Sequence, residues 1–158
     1  MNGTLTVNKA TLTVSANNTN RVYGSANPVF TANYSGFVNS DTTSVLSGSP
    51  SLTTAAVAGS PVGSYTITAT NGTVSATNYT FSFVNGTLTV NQATLTITAN
   101  NTNRIYGATN PVFTANYSGF VNGDTTSVLS GSPSLTTSAT TNSPAGGYTC
   151  LLYTSRCV

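Results

Sequence analysis

The chain of 158 residues has almost none of the side chains that enzymes use for acid–base or nucleophilic chemistry. It contains no histidine and no glutamate, a single lysine at position 9, and two aspartates, Asp41 and Asp124. General acid–base catalysis needs a group whose pKa is tuned near the working pH, and hydroxyl groups without a base make no nucleophile. We therefore predict a protein that is not an enzyme, with no catalytic, cofactor-binding or metal-binding residues and no cofactor.

Charge and long apolar runs are also scarce. Charged residues make up 4% of the chain, against about 25% in ordinary globular proteins. Without a basic stripe, nucleic acid and anionic membrane surfaces are poor candidates as partners. No apolar run approaches the roughly 18 residues of a membrane-spanning helix, so we expect no membrane insertion by this segment.

What the sequence does have is an internal repeat with a period of 83 residues. Residues 2–66 and 85–149 are identical at 52 of 65 positions. A unit of this length exceeds a solenoid repeat and suits a small domain that closes its own core. The clearest matching pairs are Asn2-Gly-Thr-Leu-Thr-Val-Asn8 with Asn85-Gly-Thr-Leu-Thr-Val-Asn91, and Arg21-Val-Tyr-Gly24 with Arg104-Ile-Tyr-Gly107.

The repeat predicts the domain organisation. Met1 aligns with Val84, so residues 1–9 are expected to be the last strand of a preceding module. Residues 10–92 form one complete module. Residues 93–149 form a second, truncated module that lacks the counterparts of residues 67–90, including the final hairpin.

The last nine residues, 150–158, break the repeat and hold both cysteines, Cys150 and Cys157. Their sequence resembles a translation of the inverted transposon ends used to build sequencing libraries. We therefore predict a non-native tail and leave it out of the fold assignment. The repeat itself is then free of cysteine and predicts no disulfide and no zinc site.

Alternating apolar and β-branched residues predict an all-β module of about six strands. Residues 11–16 and 64–70 alternate most regularly. Asn85-Gly86 lies between residues 79–84 and 87–90 and predicts a tight hairpin. Weaker strands are predicted at 30–34 and 51–54.

At most one short helix is expected in each module. Asp41, and Asp124 in the second copy, is predicted to cap it. This pattern fits a small β-sandwich, or a β-grasp-like sheet if the helix packs across one face. Because Lys9-Ala10 and Gln92-Ala93 are the whole connection between modules, neighbouring modules of the same chain are expected to be partners with limited swing.

A set of short motifs lies along the chain: Tyr23-Gly24, Asn27-Pro28-Val29-Phe30, Tyr34-Ser-Gly-Phe-Val-Asn39, Asp41, Gly48-Ser-Pro50, Ser60-Pro-Val-Gly-Ser-Tyr-Thr-Ile67, Asn78-Tyr79 and Asn85-Gly-Thr-Leu-Thr-Val90. This set resembles the bacterial MBG module of the YGX type over about residues 2–149. Such modules occur in tandem in large secreted and surface proteins, including filamentous-haemagglutinin-like adhesins. The resemblance implies an extracellular or cell-surface location and no catalysis, and the family name is associated with mucin binding.

Four features could carry a site, and each has a plainer structural interpretation. Arg21 beside Tyr23 could bind sugars or anions, but Arg21 is expected to bond loop carbonyls while Tyr23 packs inward. Asp41 offers only one carboxylate per module to calcium. Lys9 could form an isopeptide bond, but Gln92 replaces it in the second copy. The Thr-x-Thr rows could form a flat ice-binding array, but they fit a solvent face of twisted strands; they are Thr4/Thr6, Thr11/Thr13, Thr66/Thr68 and Thr87/Thr89.

Two functional hypotheses follow, and no ligand-binding residue is assigned under either. In the first, the modules are a stalk or spacer of a large bacterial surface or secreted adhesin. In the second, the modules themselves bind host glycan or mucin weakly and gain avidity through repetition.

Overall fold

The computed structural model describes residues 1–153, and residues 154–158 of the predicted tail lie outside the described part. The chain divides into two compact units, Met1–Gln92 and Ala93–Val158. Within residues 1–153, each unit consists of β-strands with one 3₁₀ helix of three residues, which confirms the all-β class and the short helix. Among the described residues, no helix is long and apolar enough to span a membrane.

Seven strands lie within residues 1–92, one more than the sequence predicted. The 3₁₀ helix Thr43–Val45 follows the third of them. The strands are β1 Ala10–Ala16, β2 Thr19–Val22, β3 Ala32–Ser35, β4 Ser51–Thr53, β5 Gly63–Thr70, β6 Tyr79–Val84 and β7 Gly86–Asn91.

These strands form two sheets. One has the order β3-β1-β6, in which β1 is antiparallel to β3 and parallel to β6. The other has the order β2-β7-β5-β4, in which β7 is parallel to β2 and antiparallel to β5. Strand β7 therefore lies inside this sheet and pairs with β2 on one side and β5 on the other.

The core lies between the two sheets. On β1 the predicted inward residues Leu12, Val14 and Ala16 are buried, and the opposite sheet contributes Ile67 and Leu88, both with 0% exposure. The 3₁₀ helix buries no residue. The unit is thus a sandwich of two sheets, and the β-grasp alternative is wrong because no helix covers a sheet.

The predicted hairpin at Asn85-Gly86 is also wrong. The strands on either side of it, β6 and β7, belong to different sheets, so the chain crosses between sheets at Asn85. Neither residue has a positive φ. The Asn85 side chain instead accepts a hydrogen bond from the Ala69 amide at 3.0 Å. A Cβ on Gly86 would lie 2.6 Å from the Ala16 carbonyl oxygen, so glycine permits the close approach of two backbones.

Residues 1–9 form no strand and are exposed. Their assignment to a preceding module stays a prediction.

The second unit keeps only part of the sandwich within residues 93–153. Its strands pair as two separate two-stranded sheets, β8 with β9 and β10 with β11, in the registers of their first-unit counterparts. The only fully buried hydrophobic side chains of the described residues are in the first unit. The elements are β8 Thr96–Ala99, β9 Ala115–Ser118, the 3₁₀ helix Thr126–Val128, β10 Ser134–Thr137 and β11 Cys150–Tyr153.

Strand β11 shows that residues 150–153 belong to the fold of the second unit, so the expectation that residues 150–158 lie outside the fold is wrong for these four residues. Cys150 pairs with Thr137 and Tyr153 with Ser134, and 83 residues earlier the pair Ser51 with Thr70 has the same register. The pairing is possible because strand ladders use backbone groups, which tolerate the change from Ile-Thr-Ala-Thr to Cys-Leu-Leu-Tyr. The non-native origin of residues 150–158 stays a prediction.

Candidate functional site: the arginine clasp

Arg21, on β2, is the one buried charged residue of the described chain, with 6% exposure. Its Nε donates a 2.8 Å hydrogen bond to Asn27 Oδ1. Its Nη1 donates to the carbonyls of Val22 and Ala58, at 3.3 Å each, and its Nη2 donates to the carbonyl of Val57. All of these acceptors are neutral, and together they occupy every nitrogen of the guanidinium.

Asn27 completes this arrangement, which we call the arginine clasp (Arg21, Asn27 and the carbonyls of residues 56–58). Its Nδ2 donates to the Ala56 carbonyl at 2.6 Å, so one amide side chain links the arginine to the loop before β5. Buried arginine is tolerated when its donors are satisfied, and its planar fork suits several carbonyls at once. This confirms the predicted bonding of Arg21 to loop carbonyls, and the half-buried Tyr23 agrees with inward packing.

The second unit repeats the clasp. Arg104 Nε donates to Asn110 Oδ1 at 2.7 Å and its Nη2 donates to the Thr140 carbonyl. Asn110 Nδ2 donates to the Ala139 carbonyl at 2.7 Å. Arg104 is only half-buried, whereas Arg21 is buried.

Asp41 does not cap the 3₁₀ helix, so that prediction is wrong. The cap is Thr42, whose hydroxyl accepts a hydrogen bond from the Ser44 amide at 3.4 Å. Asp41 instead accepts a 2.7 Å hydrogen bond from the hydroxyl of Tyr79, which also accepts from the Val38 amide at 3.1 Å.

The same contacts shift the pKa of Tyr79. The backbone hydrogen bond at Val38 lowers this pKa, but desolvation, the hydrogen bond to Asp41 and the negative charge of Asp41 outweigh it, so the pKa is raised. Tyr79 therefore stays protonated at neutral pH and serves as a donor that joins β6 to the loop after β3.

Among the remaining candidates, Lys9 and most of the Thr-x-Thr residues are exposed, whereas Thr13, Thr87 and Thr89 are half-buried. Lys9 Nζ donates to the Ala76 carbonyl at 3.2 Å. Thr66 and Thr68 are exposed on β5, as a solvent face requires. No group of three His, Cys, Asp or Glu residues that could hold a metal ion occurs among residues 1–153.

Sequence reasoning missed Asn27 and Tyr79 as partners. An asparagine follows the arginine by six residues in both copies, as Asn27 after Arg21 and Asn110 after Arg104, and this repeated spacing was the available signal. Tyr79 lies 38 residues from Asp41, and nothing local links the two.

A known family model covers most of the chain. The family model of the MBG domain (YGX type) matches residues 12–89 and 95–154, so the chain belongs to this family and contains two tandem copies of its domain. The second match includes β11. No curated protein and no solved structure matches the chain.

Proposed function

We propose that the two modules act as a non-catalytic spacer in a large extracellular or surface-exposed bacterial protein. One observation carries the proposal: the side chains that looked most suited to a ligand are bonded within their own module. Arg21 is bound to loop carbonyls and Asn27, and Asp41 is bound to Tyr79. Arg21, Asn27 and Asp41 used in this way fix loops on the sandwich, because their polar groups are already bonded within the module.

The occurrence of MBG repeats in surface proteins gives further support. The composition agrees, because a polar chain rich in Thr, Ser and Asn with 4% charge suits an extracellular surface. Strand β7 ends at Asn91 and the second unit begins at Ala93, so the connection between the modules contains no Gly/Ser/Pro-rich spacer.

Binding of mucin or glycan by the modules is the competing function, and one experiment separates the two. The purified chain is applied to immobilised mucin and to a glycan array, and small-angle scattering is recorded on the same sample. A spacer predicts no retention above that of an unrelated β-sandwich protein, together with scattering from an extended particle. Retention that depends on density of the immobilised glycan would overturn the spacer proposal and establish adhesion.

A further inference from the structure

The same four-residue segment is a strand in one unit and not in the other. Residues Thr19–Val22 form β2, whereas residues 102–105, which differ only by Ile105 for Val22, form no strand. Residues 146–149, the counterparts of the first half of β5, also form no strand. In the first unit both segments pair with β7, and residues 93–153 contain no counterpart of β7.

A cleft of about 560 Å³ lies between these two segments. Its lining includes Thr102, Asn103 and Arg104 from the first segment and Gly147, Tyr148 and Thr149 from the second. These are the counterparts of the residues that pair with β7 on its two sides in the first unit. The cleft is therefore lined by the two segments that would pair with an inserted β-strand.

The chain carries a second copy of the β7 sequence. Residues 2–8 are identical to residues 85–91. They form no strand, and Leu5 and Val7 are 90% and 87% exposed, whereas their counterparts Leu88 and Val90 are 0% and 1% exposed. An exposed segment that alternates apolar and polar residues can add to an open sheet edge.

We propose that residues 2–8 of one copy of this chain bind as a strand in the second-unit cleft of another copy. The first unit supplies the register. Leu88 pairs with Tyr65 and Thr19, so Leu5 pairs with Tyr148 and Thr102 of the other copy. Val7 correspondingly pairs with Gly146 and Arg104.

Two side-chain amides extend the match at the start of the strand. In the first unit Asn18 Oδ1 accepts from the Thr87 amide at 2.8 Å, and Asn85 Oδ1 accepts from the Ala69 amide at 3.0 Å. The counterpart of Asn18 is Asn101, which lines the cleft and can accept from the Thr4 amide. The counterpart of Asn85 is Asn2, at the start of the inserted segment.

Gly3 meets a steric requirement of the site. Its counterpart Gly86 lies so close to the Ala16 carbonyl that a Cβ would stand 2.6 Å from the oxygen. In the inserted strand Gly3 would face the carbonyl of Ala99. Outside the cleft a Cβ on Gly3 meets nothing within 4 Å, so the glycine is dispensable there.

The contact is head-to-tail, because the donor segment and the acceptor cleft are different surfaces. Such an interface leaves one donor and one acceptor free on every pair, and association continues into open chains. The donor segment leads into β1 of its own module through Lys9, as Asn91 leads into the second unit through Gln92. The counterpart of β6 is not supplied, so we expect a small, reversible interface.

Sedimentation equilibrium of the full chain under reducing conditions tests the assembly. We expect the average mass to rise with concentration from 16.0 kDa to about twice that value or more. Leu5→Asp and Gly3→Ala should each remain monomeric, because the inserted strand would bury the new charge or bring the new Cβ against a backbone carbonyl. Both residues are exposed in the free chain, so neither change should disturb its fold. Asn8→Asp adds the same charge as Leu5→Asp at a position whose counterpart, Asn91, is exposed, and it should assemble like the unaltered chain.

A peptide experiment tests the acceptor separately. The Leu5→Asp chain has an inactive donor and an intact cleft, and the probe is a synthetic peptide of residues 2–8. At a peptide concentration of ten times Kd, amide exchange in residues 102–104 and 146–150 should slow by about tenfold. A peptide with Leu5→Asp should have no effect.

The proposal is overturned if the average mass stays at the monomer value while the peptide leaves exchange unchanged. Assembly that persists in both Leu5→Asp and Gly3→Ala would assign the contact to another surface. Protection of the cleft in the unaltered chain without added peptide, while that chain stays monomeric at every concentration, would show insertion within one chain and would also overturn the proposal.

Discussion

At the residue scale, the arginine clasp shows how a protein with few charges uses one of them. Arg21 holds the loop of residues 56–58 against β2, and its charge is balanced by carbonyl dipoles and an amide. Hydrogen bonds to a charged group contribute more than neutral ones, and a buried donor left unbonded is costly. The clasp should therefore matter more to stability than its position in a loop region suggests.

Arg21→Lys is expected to lower the free energy of unfolding of the first unit by about 2–3 kcal/mol, because a single ammonium cannot reach the acceptors that the guanidinium fork serves. Chemical denaturation followed by far-ultraviolet circular dichroism or NMR measures the change. Arg104→Lys is the matched control and should cost less, since Arg104 is half-buried. Equal costs would show that burial of the clasp is unimportant.

Ser40 offers a stabilising change. Its φ is 62°, a left-handed conformation that favours glycine, and the second copy has Gly123 at the same place with φ 80°. Ser40→Gly should raise the free energy of unfolding by about 0.5–1 kcal/mol, the strain relieved being partly offset by greater freedom in the unfolded chain. Gly123→Ser should have the opposite sign in the second unit, and a loss of stability from Ser40→Gly would refute the assignment of strain.

Tyr79 gives the first unit a defined sensitivity to alkaline pH. Its pKa in the folded state is raised above the ordinary value of about 10, so folding favours the protonated hydroxyl. The stabilisation is complete below that ordinary pKa and is lost as the pH rises through the raised one. Tyr79→Phe removes the titrating hydroxyl, so the difference in unfolding free energy between the two chains should shrink as the pH rises through this range. A difference independent of pH would contradict the Tyr79–Asp41 bond.

Contacts between residues near each other in the sequence could be predicted, whereas contacts between distant residues could not. Arg21 bonding to loop carbonyls follows from an arginine beside Gly24 and Asn27, so it could be predicted. The partner of Asp41 could not, because Asp41 and Tyr79 meet only after β1 and β6 pair. The local signal favoured a helix cap at Asp41, yet the next residue, Thr42, supplies that cap.

At the element scale, the Asn85-Gly86 crossing is where sequence reasoning failed most clearly. Alternation identified β1 and β5 together with their inward faces, because burial of one face imposes period two on any strand. Alternation does not say which sheet a strand joins, however. Strands β6 and β7 would show the same pattern in a hairpin as they do in separate sheets.

Gly86→Ala tests the crossing directly. The added Cβ would stand 2.6 Å from the backbone oxygen of Ala16, and we expect the free energy of unfolding of the first unit to fall by about 1–3 kcal/mol. Gly3→Ala is the control within the same repeated motif, where nothing lies within 4 Å, and the first unit should be unaffected. If Gly86→Ala were equally harmless, the close approach of β7 to β1 would be wrong.

Strand β2 could not be predicted from its own sequence. Thr-Asn-Arg-Val carries little strand signal by itself, and its near-identical counterpart at residues 102–105 forms no strand. The pairing with β7 decides its conformation, in line with the dependence of strand propensity on neighbours.

At the scale of the whole molecule, the two copies have nearly the same sequence but different structures, because the first has the interior strand β7 and residues 93–153 contain no counterpart of it. The first unit buries Leu12, Ile67 and Leu88 completely, whereas Leu95 and Ile97, the counterparts of Leu12 and Val14, stay half-buried. The repeat made the two-module organisation readable, and the family match shows two tandem domains. The pairing of β11 could not be predicted from the repeat, because residues 150–153 differ from their counterparts 67–70 and pair through backbone hydrogen bonds.

The most direct test of this account is residue-resolved hydrogen exchange on the full chain, with Leu5→Asp present so that the second-unit cleft stays open. We predict that the amides of β1, β5 and β7 in the first unit exchange only by opening of the whole unit. The amides of β8 and β11 should exchange faster by on the order of a hundredfold or more, because they belong to a sheet pair without a closed core. Equal protection in the two units would contradict the claim that only the first unit has a closed core, and loss of both in a single step would contradict the claim that residues 10–92 fold as a sandwich on their own.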